Sequence, residues 1–358
     1  MTAKRYRLLT LWTCIGMFLV LIVGVVVTNT ESGRGCGTDW PLCNGKFVPA
    51  YTLESMVEYS HRAVSGIEGL LVGAVFIVTL LMKPSSKEAA IYASGALLFT
   101  VAQALLGAAA VIWPTSDAVL AIHFGISMIA FSFTWLLDAW AKRRADAVRS
   151  GEEADIRIGK AAQAQAASTA NRANRANRAN RGSMAKAANA APSAKAARAG
   201  SPTRTAAAPI PVALFRATVA VIVYCYAVVY LGAYVRHTDS AGGCIGWPLC
   251  NGKFVPELNG ATGIVFAHRL AGALLFVLIV LLYFYVRRAA WRTRELGGLA
   301  NVSLLLVLAQ ILSGWLLTAT LEYHDVYVFT SLLHTIIITA LFSSLCLLAI
   351  RAWQLSRR

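Results

Sequence analysis

Eight stretches of this chain are apolar over a helix-length run, near 8–28, 62–82, 90–111, 118–140, 212–235, 264–286, 297–320 and 327–350. Each is close to the 20 or so residues with which an α-helix crosses a hydrocarbon core of roughly 30 Å. Backbone amides in lipid must be satisfied within the segment that carries them, so the pattern predicts helices, and the alternation of a membrane β-barrel is absent. The second four segments repeat the first. Trp40-Pro41-Leu42-Cys43-Asn44-Gly45-Lys46-Phe47-Val48-Pro49 recurs residue for residue as 247–256, an offset of 207 that also carries His61-Arg62 onto His268-Arg269 and Gln103 onto Gln310. The expected fold is therefore an all-α integral membrane protein whose eight transmembrane helices form two pseudo-symmetric four-helix bundles. The copies differ at one chemically telling place: Glu58, three residues before His61, falls on Val265.

Composition agrees with this environment. The 358 residues are 57% hydrophobic and 14% charged, with a mean hydropathy of +0.60. The cations also suggest an orientation. Lys4, Arg5 and Arg7 precede the first helix, Lys83 and Lys87 lie between the second and third, Arg287, Arg288, Arg292 and Arg294 between the sixth and seventh, and Arg351, Arg357 and Arg358 near the end. The connections around Trp113 to Asp117 and around Glu322 to Asp325 contain no Lys or Arg. The positive-inside rule then places both termini in the cytoplasm and the two Cys-containing loops outside. The first helix is too long for a cleavable signal peptide.

The net charge of +16 could be mistaken for a nucleic-acid footprint. Residues 141–210 account for +10 of it, with 14 Lys or Arg against 4 Asp or Glu. That segment is rich in Ala, Asn, Arg and Ser and has almost nothing with which to build a core, so it reads as a disordered cytoplasmic linker between residues 1–140 and 211–358. Anionic lipid headgroups would attract it; a nucleic-acid partner is not implied.

Seven cysteines divide by depth. Cys14, Cys225 and Cys346 fall inside apolar segments as small core residues. Cys36 with Cys43 and Cys244 with Cys250 fall in the outer loops, where disulfides can form. Each pair is read as a staple shaping a lid, with a redox-active pair as the alternative. Of six histidines, His237 and His324 are expected in loops and solvated. His61, His123, His268 and His334 fall at similar depth on the second, fourth, sixth and eighth helices. Ionisable groups at membrane depth are costly and default to function. Two imidazoles per half, on alternate helices, suit the axial positions of a haem iron. Ser65, Gly66, Gly125, Ala271 and Gly272 flank them and leave clearance for a flat macrocycle, and Arg62 and Arg269 are placed to meet propionates. Interhelical hydrogen bonding and a four-histidine metal site stay open on these grounds.

The combination of Glu58-Tyr59-Ser60-His61-Arg62, His123, the Cys36 to Cys43 loop and their counterparts His268-Arg269, His334, Cys244 and Cys250 resembles the haem A synthase family. The resemblance covers roughly 1–140 and 210–350. It implies an oxidoreductase of the bacterial cell membrane that converts haem O to haem A by two successive hydroxylations of the C8 methyl, the gem-diol losing water to leave a formyl group. It further implies substrate haem O bound by His61 and His123 in the N-terminal half and a haem b bound by His268 and His334 in the C-terminal half. Glu58 becomes the candidate catalytic carboxylate, with capping of the second helix as its structural alternative. Haem O synthase is the partner implied for substrate handover; the oligomeric state is not legible. Two other functions compete: a di-haem electron-transfer cytochrome b, and a quinone-coupled thiol oxidoreductase using the outer cysteines.

Overall fold

A computed structural model describes residues 2–83, 85–113, 115–151, 210–290 and 293–357, together with Gln165, Ser168, Thr169 and Asn171. Most of the expected linker therefore lies outside the described residues. Among the described residues there are eight helices long and apolar enough to cross a membrane: α1 Ala3–Asn29, α2 Leu53–Leu81, α3 Lys87–Ile112, α4 Asp117–Arg149, α5 Val212–His237, α6 Gly260–Ala289, α7 Arg294–Ala319 and α8 His324–Ser356. The protein is an all-α, multi-pass membrane protein built as two four-helix halves.

The apolar runs mark the spans but misplace some ends. α2 begins at Leu53, nine residues before the apolar run, and α6 begins at Gly260, so His61 and His268 sit in the third turn of their helices and do not begin them. The additional turns of α2 carry Glu54, Ser55, Glu58 and Ser60. Hydrophobicity excludes such residues from a span, yet the loop packed on the helix satisfies Ser55 and Glu58, while Glu54 and Ser60 are exposed. Thr52 caps α2 by accepting from Ser55 N at 3.3 Å, which leaves Glu58 without the capping role open to it from sequence. His237 also departs from expectation: it closes α5, half-buried, and is not a solvated loop residue.

Half of the apolar window of α4 and of α8 is buried, against 17–33% for the other six helices. These two form the centre. They meet through Ser132 and Ser343, whose hydroxyls are 3.1 Å apart. The two serines are related by an offset of 211, as are His123 and His334, so each copy presents the same patch to the other, the signature of a two-fold. Met128 of α4 packs into the apolar core of the second half beside Leu341 and Leu345. A second self-complementary contact lies where α1 and α5 end. Arg236, the counterpart of Thr28 at an offset of 208, donates through Nη2 to the Thr28 carbonyl at 2.8 Å and through Nε to Asn29 Oδ1 at 3.0 Å, while Asn29 Nδ2 donates to Ser331 Oγ at 3.0 Å.

This knot holds the halves together at the end bearing the Cys loops. Arg236→Met removes two charge-assisted hydrogen bonds and leaves Asn29 held by Ser331 alone, and should lower unfolding stability in detergent by about 1–3 kcal/mol. Chemical unfolding followed by circular dichroism checks it.

Candidate functional site

α2 and α6 run beneath their Cys loops and hold them by the same device. In each loop an Asn-Gly pair, Asn44-Gly45 and Asn251-Gly252, adopts positive φ at both residues, which closes a tight reversal between Cys43 and Lys46 and between Cys250 and Lys253. Cys36 is disulfide-bonded to Cys43 and Cys244 to Cys250. An arginine one helical residue past the histidine then clamps each loop. Arg269 donates to the carbonyls of Gly246 at 2.8 Å, Leu249 at 3.3 Å and Cys244 at 2.7 Å. Arg62 donates to the carbonyls of Leu42, Asp39 and Gly37. Ser55 and its counterpart Thr262 add hydroxyl bonds to the Gly35 and Gly243 carbonyls, at 2.6 and 2.8 Å.

Only the first half adds a carboxylate to the clamp. Glu58 is 3% exposed; its Oε2 accepts from Cys36 N at 2.8 Å and its Oε1 is paired with Arg62 Nη2. Val265, buried at the equivalent place, packs against Cys244 and Cys250. Glu58 is thus positioned by the disulfide loop and by Arg62, and it borders the cavity beneath them.

That cavity, about 1530 Å³, is lined by all four intramembrane histidines and by Glu58, Arg62 and Arg269. It exceeds the roughly 300–1,000 Å³ of a site for one drug-sized molecule. Each imidazole lies against a glycine of the preceding helix. A Cβ built on Gly24, Gly107, Gly232 or Gly314 would come within 2.8–3.3 Å of Cε1 of His61, His123, His268 or His334 respectively. A larger residue at any of the four would push the ring from its place. These glycines recur at offsets of 207–208, and that regularity is the sequence signal that could have found them. Gly66 and Gly272 border the cavity with open space above them, whereas Gly125 packs against the Tyr226 hydroxyl, so the clearance expected there from sequence is absent.

One of the four imidazoles differs from the other three. Nδ1 of His61, His123 and His268 is buried without a hydrogen-bond partner. His334 is bonded at both nitrogens, to Ser313 Oγ and to Gln310 Nε2, each at 2.8 Å. Gln103, the counterpart of Gln310, instead donates to Met17 Sδ at 3.6 Å. Among the described residues no three His, Cys, Asp or Glu side chains converge as a site for a metal ion, which weighs against the four-histidine alternative. His324 opens α8, exposed.

The family described as cytochrome oxidase assembly protein matches residues 50–170 and 216–263. A heme A synthase of Symbiobacterium thermophilum is 35% identical over 350 residues, covering 97% of this chain and 96% of that protein. Heme A synthases of Halalkalibacterium halodurans and Alkalihalophilus pseudofirmus are 33% and 32% identical, covering 93% and 96% of the chain and 92% and 95% of their own lengths. The chain belongs to the haem A synthase family. The similarity runs over nearly the whole length of the chain and so takes in both four-helix halves.

The Glu58 carboxylate adds to the first Cys loop a tie that the second half lacks, Val265 standing in its place. Glu58→Gln should therefore loosen only the Cys36–Cys43 loop. A loss of about 1.4 kcal/mol corresponds to roughly tenfold faster trapping of Cys36 and Cys43 by a thiol reagent under limiting reductant. Trapping at Cys244 and Cys250 should keep its wild-type rate, and mass spectrometry of the alkylated peptides measures both.

Proposed function

We propose that this chain is a haem A synthase, an oxidoreductase that converts haem O to haem A by two successive hydroxylations of the C8 methyl group, loss of water then leaving the formyl group. The observation that carries the reading is the duplicated pair of glycine-backed imidazoles around one large cavity, with a carboxylate beside only one pair.

In this reading the N-terminal half, residues 1–140, receives substrate haem O between His61 and His123, and the C-terminal half, residues 211–358, holds a haem b between His268 and His334. Three of the four imidazoles present a buried nitrogen with no protein partner, and Gly66 and Gly272 leave open space beside the rings; both features suit a flat iron macrocycle. A bound haem b would supply one-electron transfer. The protein's own residues do the positioning. The glycines of α1, α3, α5 and α7 fix the ring planes. Ser313 at Nδ1 would fix the tautomer and rotation of His334, as an outer partner of a metal-bound imidazole does, while Gln310 would give up the ring Nε2 to the iron. Arg62 and Arg269 border the cavity at its loop end, where guanidinium meets carboxylate well; Arg62 Nε is buried with no partner, which leaves it a donor for a propionate while its Nη atoms hold the loop.

Glu58 is the proton acceptor next to the substrate. It sits one turn above His61 on the same helix face, and the loop keeps it dry. Its pair with Arg62 is the part that must give when it takes a proton, and a closed loop keeps water from competing for that role. The outer loops face away from the cytoplasm, both termini and the 141–210 linker face it, and the enzyme sits in the bacterial cell membrane, drawing haem O from haem O synthase.

Expression with a supply of haem O, followed by extraction and identification of the noncovalent haems by chromatography and mass, tests the reading. Wild type should yield haem A or its hydroxylated precursor, and Glu58→Gln should lower that yield by about 100-fold or more. Unmodified haem alone from the wild type would favour the electron-transfer cytochrome.

A separate expectation follows from the glycine contacts. Gly232→Leu forces a side chain into His268 and should cost most of the haem held by the second half. The reduced-minus-oxidised absorption of the purified protein should fall by about half. Gly298→Leu, an open position on α7, should leave it unchanged.

A further inference from the structure

The second half serves as a built-in comparison for the first, and Glu58 is not the only place where they part. Glu68 lies two turns along α2 from His61, away from the loops. It is 1% exposed, and neither carboxylate oxygen has a hydrogen-bond partner. It is wedged against α1 where Gly16 leaves no room for a side chain. At the offset of 207 its counterpart is Leu275, equally buried. The fold therefore accepts an apolar residue there, yet carries a group that is among the most costly to place unpaired in hydrocarbon.

Polar groups continue from Glu68 in both directions. Val72 of α2 and Ala96 of α3 share one apolar cluster, so one turn towards the loops Glu68 and Thr100 stand at the same level. The Thr100 hydroxyl is buried without a partner, and Thr100 lines the cavity. In the other direction Cys14 of α1 stands in the field of both Glu68 and Asp138 and meets the hydroxyl of Thr134. Asp138 accepts from Thr10 Oγ1 at 3.1 Å, and Arg7 Nε lies 4.0 Å from the same oxygen, near the membrane face opposite the disulfide loops. In the second half Thr100, Thr134 and Asp138 are replaced by Val307, Leu345 and Ala349, all buried. The column of polar groups thus belongs to the half assigned to the substrate and is apolar in the half assigned to the resident haem.

We propose that Glu68 is the proton carrier of a column running from Asp138, past Thr134 and Cys14, to Thr100 and the cavity of the N-terminal half. The proposal rests on the reading of that half as the place where haem O is oxidised. An electron that enters or leaves an apolar cavity without a proton leaves a net charge in a low-dielectric medium, which is costly. Glu68 as a carboxylic acid holds one proton: it passes the O–H proton towards Thr100 and regains one from the Asp138 side, or the reverse. The threonine hydroxyls accept one proton as they give up their own, so the column returns to its starting state. Glu68 does not touch the reacting methyl; its role is to keep the cavity neutral.

The test uses the purified, haem-containing full chain. Infrared difference spectra between oxidised and reduced haem should show a carboxylic acid C=O band that shifts in D2O and is missing from Glu68→Gln and Glu68→Leu. Asp138→Asn should keep the band and slow its deuterium exchange. Glu68→Leu reproduces the residue that the second half uses, so it should keep the wild-type haem content while its yield of haem A from haem O falls by about 100-fold. A Glu68→Leu protein with wild-type haem A yield, or a difference band that survives Glu68→Gln, overturns the column. A wild type that makes no oxidised haem overturns the synthase reading instead, and the infrared band still judges Glu68 on its own.

Discussion

Polar groups inside a bilayer must find their partners within the protein, and the arrangement of this molecule follows from how it meets that demand. Most of each helix surface is apolar and lipid-compatible. The polar side chains that do enter the membrane gather on the inward faces, where they meet counterparts from the other copy or surround the cavity. Ser132 meets its counterpart Ser343, and Arg236 meets the backbone of its counterpart Thr28 and the side chain of Asn29. The imidazoles stand against glycines that let two helix backbones and a ring share one level. Where the backbone leaves helical form, in the two Cys loops, an arginine from the helix below takes up the freed carbonyls. Such irregular backbone is tolerated at a membrane edge only when it is covered in this way.

Duplication supplies the scaffold, and divergence assigns the work. The loop, the arginine, the disulfide and the glycine behind each histidine are common to both halves. Three features are not. Glu58 and the polar column around Glu68 occur in the first half only, while hydrogen bonding at both nitrogens of the last histidine occurs in the second only. Among the four rings His334 alone is held at both nitrogens, by serine and glutamine. His268 lacks such supports just as His61 and His123 do, so the carboxylate and the polar column are what set the first half apart.

Much of this was legible in the sequence, for a physical reason: a span must be apolar over its whole width, so the eight runs announce themselves. The starts of α2 and α6 were not, because their first turns, polar in α2 and rich in Gly and Ala in α6, lack the apolar run that marks a span. The four histidines, Glu58 and Arg62 stood out because the repeat displays them at fixed offsets. The glycines behind the rings were passed over, since their meaning depends on which face of a neighbouring helix they occupy. The clearance expected at Gly125 failed for the same reason: the residue faces Tyr226 and not the cavity. Glu68 was a visible signal left unread, a lone acid in an apolar run whose counterpart is leucine.

The central claim is that two matching frames hold one exchanging and one resident haem. Incubating the purified protein with isotope-labelled haem and following the label by mass spectrometry in wild type, His123→Ala and His334→Ala tests it most directly. The account predicts that about half of the bound haem exchanges in the wild type, that the exchanging portion disappears in His123→Ala, and that the slow portion disappears in His334→Ala. Equal exchange rates for the two portions, or a single haem that responds to both variants, would contradict it.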